Sequence, residues 1–161
     1  MNSLQDILKD IQERRFSPVY FLMGAESYFI DRIEKELCYS VVSEEERAFN
    51  QSILYGKDTS VDQILDAAKR FPMMAEYQLV IVREAQELSR VIDQLESYVS
   101  NPQASTVLVV CYKYKSIDKR KKLYKALQQH AVLFESKQLY ENQVPDWIQR
   151  WLKNKKRTIN L

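Results

Sequence analysis

Pro18-Val19-Tyr20-Phe21-Leu22-Met23-Gly24-Ala25-Glu26-Ser27-Tyr28-Phe29-Ile30-Asp31 is the stretch whose reading decides the fold. Five consecutive apolar residues, Val19 to Met23, are too short for a buried helix and carry no polar alternation. They read as a strand covered on both faces, closed by Gly24. Phe29, Ile30, Ile33, Leu37 and Val41 then recur at helical spacing, with Ser27 or a neighbour as the N-cap. Upstream, Leu4, Ile7, Leu8 and Ile11 mark one face of an opening helix. Ser17-Pro18 ends that segment, because proline disfavours a helical residue before it.

The same unit recurs along the chain. Phe49 to Tyr55 reads as a mixed strand ended by Gly56, followed by a helix through Val61, Ile64, Leu65 and Ala68. Gln78 to Val82 reads as a second strand, apolar from Leu79 onward. Leu88, Val91, Ile92, Leu95 and Val99 predict a helix that stops near Asn101-Pro102. Thr106 to Tyr112 is the most strongly patterned strand. A basic helix is expected over Lys119 to Gln129, then a strand over Ala131 to Phe134. Strands alternating with helices argue for crossover connections, and apolar strands need helices on both faces. The expected fold is therefore α/β: a three-layer sandwich around a mainly parallel five-stranded sheet over residues 1–140. Val144, Trp147, Ile148, Trp151 and Leu152 give one more amphipathic helix. It reads as the start of a truncated helical second domain, 141–161, or as a terminal helix docked on the sheet.

Counting excludes much chemistry. The 161 residues include 2 Gly, 1 His and 2 Cys. A dinucleotide fingerprint needs three glycines, and a two-histidine zinc site needs two histidines. Cys38 and Cys111 form no CxxC pair, so a four-thiolate metal site is excluded. No metal or other cofactor is expected. The N-terminus lacks a signal peptide's basic start and apolar core, and the longest apolar run cannot span a bilayer. Together with two unpatterned cysteines, this suggests a reducing, cytosolic setting and no membrane partner. The net charge of +2 hides a polarity: residues 1–100 hold 11 basic and 18 acidic side chains, and residues 101–161 hold 13 and 4. Such asymmetry points to an acidic partner for the second half, or to two solvated faces.

Ligands in open parallel sheets bind beyond the carboxyl ends of the strands, and that place is spoiled here. Laid on the phosphate-loop pattern, Gly24 occupies the first glycine position. Phe29 stands where the second glycine belongs, Ile30 where the lysine belongs, and Asp31 where the magnesium-binding hydroxyl belongs. A phosphate cradle needs close backbone approach and positive charge. Bulk and carboxylates should repel a triphosphate. After Leu79 to Val82, Arg83 and Glu84 follow, so a cation stands where a metal-binding aspartate would. His130 has no Ser or Cys motif near it and reads as a surface residue. No catalytic residue is identified.

These segments resemble the delta subunit family of the bacterial DNA polymerase III clamp loader. The likeness rests on Pro18 to Ile30, on Phe49-Asn50 with Tyr55-Gly56-Lys57, and on Phe71-Pro72-Met73-Met74-Ala75-Glu76. It rests also on Gln78 to Ala85 and the spaced cations Lys113, Lys115 and Lys119 to Lys122. It implies a P-loop NTPase/AAA+-like domain that does not hydrolyse ATP, within a DNA polymerase III holoenzyme. It further implies partners: the ring-shaped sliding clamp, primed DNA, and other clamp-loader subunits reached through regions absent here.

In the family, an apolar pair just after the third helix enters a pocket on the clamp, and that position falls on Met73 and Met74, behind Phe71 and Pro72. Proline restricts the backbone and methionine adapts to irregular pockets. Burying two such side chains is worth roughly two to four decades of affinity before ordering costs. The alternative is that both methionines are core residues at a helix end. The basic segment also has two readings. Lys113, Lys115, Lys119, Arg120, Lys121, Lys122 and Lys125, with Tyr112, Tyr114 and Tyr124 between them, suit phosphate contact and base stacking. Leu123 and Leu127 suit an ordinary amphipathic helix with a wet lysine face. Three functions therefore compete: a clamp-binding and clamp-opening subunit, an α/β DNA-binding module working through residues 113–125, and an NTPase with an unorthodox loop.

Overall fold

A computed structural model describes residues 2–137; the helix expected around Trp147 and Trp151 lies outside the described residues. The five strands are β1 (Val19–Gly24), β2 (Gln51–Tyr55), β3 (Gln78–Arg83), β4 (Thr106–Lys113) and β5 (Val132–Ser136). They form one sheet in the order β2-β3-β4-β1-β5, and every pairing is parallel. The sheet is thus wholly rather than mainly parallel. Helices α1 (Leu4–Gln12), α2 (Ser27–Ser40), α3 (Arg47–Asn50), α4 (Val61–Ala68), α5 (Glu96–Ser100) and α6 (Lys122–His130) complete the described chain.

Strand alternation divides the apolar residues between two cores. Val19, Phe21 and Met23 of β1, with Leu108, Val110 and Tyr112 of β4, face α4, α5 and α6. Tyr20 and Leu22, with Val107, Val109 and Cys111, face α1 and α2. Burial on both faces is why β1 shows no polar alternation: each of its residues is buried. Among the described residues, no helix is long and apolar enough to cross a membrane.

Four expectations need correction. Phe49 and Asn50 belong to the short helix α3, not to a strand, because Asn50 N–H bonds back to Glu46 O at 2.9 Å. The helix expected from Leu88 to Val99 is instead two 3-10 turns, Ala85–Leu88 and Ile92–Leu95, followed by α5. Its apolar residues repeat every three positions (Ala85, Leu88, Val91; Ile92, Leu95), which suits the three-residue turn of a 3-10 helix. Gln86 is also drawn away to accept the Lys113 N–H at 3.1 Å. The basic helix starts at Lys122, since Lys119 and Arg120 lie in a turn where Asp118 accepts the Arg120 N–H at 2.9 Å. Finally β5 runs to Ser136, whose pairing with Gly24 extends it past Phe134.

Candidate functional site: an apolar tip and a closed phosphate loop

Two regions identified in the sequence lie at opposite strand ends of the sheet. Gly24 to Asp31 lies beyond the carboxyl end of β1, whereas Phe71 to Glu76 joins the end of α4 to the amino end of β3. In an all-parallel sheet these are opposite rims. Each has a distinct chemistry.

At the carboxyl rim, the segment after β1 is bonded to other parts of the chain. Gly24 N–H donates to Lys115 O at 2.9 Å and Ala25 N–H to Ser136 O at 3.2 Å. Glu26 N–H donates to Ser136 Oγ at 3.0 Å. Of Ser27 and its neighbours it is Glu26 that caps α2, its carboxylate accepting the Tyr28 N–H at 3.2 Å. Four of the amides that could otherwise face an anion, those of Gly24, Ala25, Glu26 and Tyr28, thus each have a protein acceptor. Gly24 sits at φ +120°, and a Cβ there would stand 2.1 Å from Ser136 O. Glycine is thus required by the approach of β5. Phe29 and Ile30 are buried in the α2 core. Asp31 turns to Lys113, 2.7 Å from its ammonium, with Glu84 on the other side at 3.9 Å. Burial works against the Lys113 charge, yet the hydrogen bond to Asp31 and both carboxylate charges hold its pKa above the ordinary lysine value. Lys113 therefore serves this ion-pair hub rather than an exposed basic face.

At the third strand, Arg83 Nε donates to Glu34 Oε1 at 2.6 Å, and its Nη1 donates to Tyr55 Oη at 3.2 Å. Glu34 is buried on α2. The hydrogen bond that Arg83 donates to Glu34 is the main reason that Arg83 is held more firmly protonated than usual. A structural ion pair occupies the place of a metal ligand. Among the described residues, no group of three or more His, Cys, Asp and Glu side chains is placed to hold a metal ion.

The amino rim carries the apolar tip. Phe71, Met73 and Met74 are 79%, 60% and 98% exposed, which excludes the reading of both methionines as core residues. Pro72 is half-buried beside them. The tip is exposed but not loose. The Asn50 side chain, itself buried, accepts the Met73 N–H through Oδ1 at 2.6 Å and donates through Nδ2 to Met73 O at 2.9 Å. A carboxamide can bond both backbone groups of one residue in this way, as a neighbouring strand would. Met74 then takes a left-handed conformation, φ 55°, which is uncommon for a long side chain and reverses the chain there.

The base of the tip is anchored as well. Thr106 Oγ1 donates to Ala68 O at 2.7 Å, and Gln78 Nε2 reaches Ala67 O at 3.1 Å and Thr106 Oγ1 at 2.8 Å. Gln103 Nε2 donates to Arg70 O at 2.5 Å. These bonds satisfy the last carbonyls of α4 and its exit, the groups a helix leaves unpaired. Asn50, Gln78 and Thr106 were not picked out as supports by the sequence. The available signal was a polar residue standing immediately before, or opening, a strand.

The basic segment divides. Lys115, Lys119, Lys121, Lys122 and Lys125 are exposed, and Arg120 is exposed but chelates Asp118 at 3.1 and 3.0 Å. Tyr112 and Tyr124 are buried in the core, so of the three interleaved tyrosines only Tyr114 faces solvent. Tyr112 and Tyr124 cannot stack on bases as expected, because β4 is covered on both faces and the apolar face of α6 points inward. His130 is exposed at the end of α6.

The all-parallel sheet and its strand order define a P-loop-type α/β domain, in which the Gly24, Ala25 and Glu26 amides bond back to the domain's own chain. The family model for the DNA polymerase III delta subunit matches residues 20–137, and the chain belongs to that family. It is 32% identical to DNA polymerase III subunit delta of Bacillus subtilis over 163 aligned residues, covering 96% of this chain and 47% of that protein. Among solved structures, the DNA clamp loader delta protein of Bacillus subtilis superposes with a TM-score of 0.75 at 31% identity, over 85% of this chain and 43% of that one. A gamma subunit-related protein of DNA polymerase III from Thermotoga maritima shares the fold at 14% identity and a TM-score of 0.58, over 95% of this chain and 50% of that one. The chain thus spans about half the length of the relatives it matches.

Proposed function

We propose that this chain is the clamp-facing part of a DNA polymerase III clamp loader. It grips one face of the sliding clamp through Phe71, Pro72, Met73 and Met74 and helps open the ring during DNA replication in the cytoplasm. ATP hydrolysis is left to other subunits, which join through regions beyond this chain. Residues 1–140 form the clamp-binding domain and 141–161 begin a second, helical one. The observation that carries this reading is the tip: a Phe-Pro-Met-Met segment with Phe71, Met73 and Met74 exposed, yet held at Met73 and at its base by buried side chains. Exposing three large apolar side chains on an anchored loop has a cost unless a partner covers them. The occupied amides of Gly24, Ala25, Glu26 and Tyr28 support a domain that works without its own nucleotide.

The test is titration of the chain against its cognate clamp. Met73→Ser with Met74→Ser should weaken binding by at least roughly 100-fold, because both side chains lose their apolar burial. Unchanged affinity in the folded double variant would overturn the assigned contact.

A second reading has its own observation: five exposed lysines between Lys115 and Lys125 on one segment. As a contact to primed DNA, it predicts affinity that falls steeply with salt, with a log–log slope of about −3 to −5 for four or five phosphates. Neutralising Lys121 and Lys122 should reduce that slope by roughly two.

A further inference from the structure

The Phe49-Asn50 turn is a sequence motif whose exposed aromatic side chain has no role so far. Helix α3 is short but well held. Ser43 N–H donates to Glu46 Oε1 at 2.8 Å, and Glu46 N–H donates back to Ser43 Oγ at 3.3 Å. Phe49 N–H and Asn50 N–H both donate to Glu46 O, at 3.2 and 2.9 Å. On this fixed turn Phe49 is 74% exposed. Its neighbour Asn50 is the residue that bonds both backbone groups of Met73. Standard bond lengths then place the Phe49 and Met73 backbones within roughly 11 Å of each other. Four of the seven large apolar side chains exposed among the described residues lie on these two linked segments: Phe49, Phe71, Met73 and Met74.

We infer that Phe49 is a further anchor of the docking surface, so that α3 and the tip enter the clamp as one apolar face. This rests on the proposed docking of the tip and extends it. Scattered apolar residues on a surface are ordinary. Here, however, the ring stands on a turn tied by its neighbour to the tip, so a partner that covers Met73 arrives beside Phe49. The margin also has a sign pattern. Glu44 and Glu45 precede α3 and Glu76 follows the tip, while Lys69 and Arg70 precede it, all of them exposed. The matching surface on the clamp is an apolar cleft with basic residues toward α3 and acidic residues toward the end of α4. Opposed rims of this kind fix orientation more than they add affinity.

The experiment measures the affinity of the whole chain for its cognate clamp with Phe49→Ala, Phe49→Leu and the Met73→Ser/Met74→Ser pair, alongside unfolding midpoints. Phe49→Ala should weaken binding about 10- to 100-fold with an unchanged midpoint, and Phe49→Leu by less than about 3-fold. Wild-type affinity in Phe49→Ala, with binding lost in the methionine pair, overturns the inference and leaves tip docking standing. Unchanged affinity in the methionine pair overturns tip docking and this inference with it. If sedimentation without clamp shows a dimer that Phe49→Ala dissolves, the ring covers a second copy of the chain, and the inference also falls.

Discussion

Replacing Asn50 by alanine removes three hydrogen bonds at once. Met73 N–H loses its acceptor at 2.6 Å, Met73 O its donor at 2.9 Å, and Glu46 O a donor at 3.2 Å. At about 0.5–1.5 kcal/mol net per bond, the sum would be about 1.5–4.5 kcal/mol. The tip is exposed, so water can take over the Met73 groups once the loop swings away, and the global loss should fall near the low end, about 1–2 kcal/mol. The local loss is larger and easier to read. Exchange of the Met73 amide hydrogen should accelerate by about 10- to 100-fold, while amides in the buried strand β4 follow only the global change. Clamp affinity should fall about 5- to 30-fold, because the tip must now be ordered on binding. Asn50→Asp separates the two bonds. Its carboxylate still accepts the Met73 N–H, so protection of that amide should persist within a few-fold while the carbonyl side is lost. A Met73 amide that exchanges no faster in Asn50→Ala would refute the idea that this side chain holds the tip. So would faster exchange with undiminished clamp binding.

Three further outcomes are expected. Gly24→Ala should destabilise the fold by about 3–5 kcal/mol in urea titration, since φ is +120° and the new Cβ would meet Ser136 O at 2.1 Å; a loss below about 1 kcal/mol would mean that β5 does not close the loop. Arg83→Met should cost about 1–3 kcal/mol, because it strands the buried Glu34 carboxylate, discounted from a fully buried pair since Arg83 is partly in water; the double variant with Glu34→Met should recover most of it in a thermal melt. Asp118, paired with Arg120, should titrate at about 2, below the usual 3.8. A lowered folded-state value means that its contribution is complete above about pH 4 and lost as pH falls through 2. Carbon-detected NMR reads the midpoint directly, and Arg120→Ala should move it up toward the ordinary carboxylate value.

The sheet was legible because β1, β3 and β4 are covered on both faces, which leaves uninterrupted runs such as Val19 to Met23 and Val107 to Tyr112 that nothing else explains. The spoiled loop was legible from residue types alone, with Phe29, Ile30 and Asp31 where glycine, lysine and a hydroxyl belong. How the loop is closed was not. The acceptors for its amides come from Ser136 and Lys115, more than ninety positions further along the chain, and pairing across that distance leaves no local pattern. The 3-10 turns between Ala85 and Leu95 were hidden because a three-residue apolar repeat fits both kinds of helix over a few positions. Lys113 read as one more cation in a basic run, and Tyr112 and Tyr124 as stacking rings. Only the facing of β4 and α6 shows that the first is tied to Asp31 and the others are core. The exposure of Met73 and Met74 was undecidable from composition, since methionine after a helix is ordinarily buried.

The most direct check of the central claim uses the methionine methyl groups themselves. The chain has four methionines; Met23 in β1 is fully buried, whereas Met73 and Met74 are exposed. With carbon-13-labelled methyls and a deuterated cognate clamp, the Met73 and Met74 signals should shift and broaden on titration, while Met23 stays in place. Sharp, unmoved Met73 and Met74 signals at saturating clamp would contradict the account, because the tip would then remain in water.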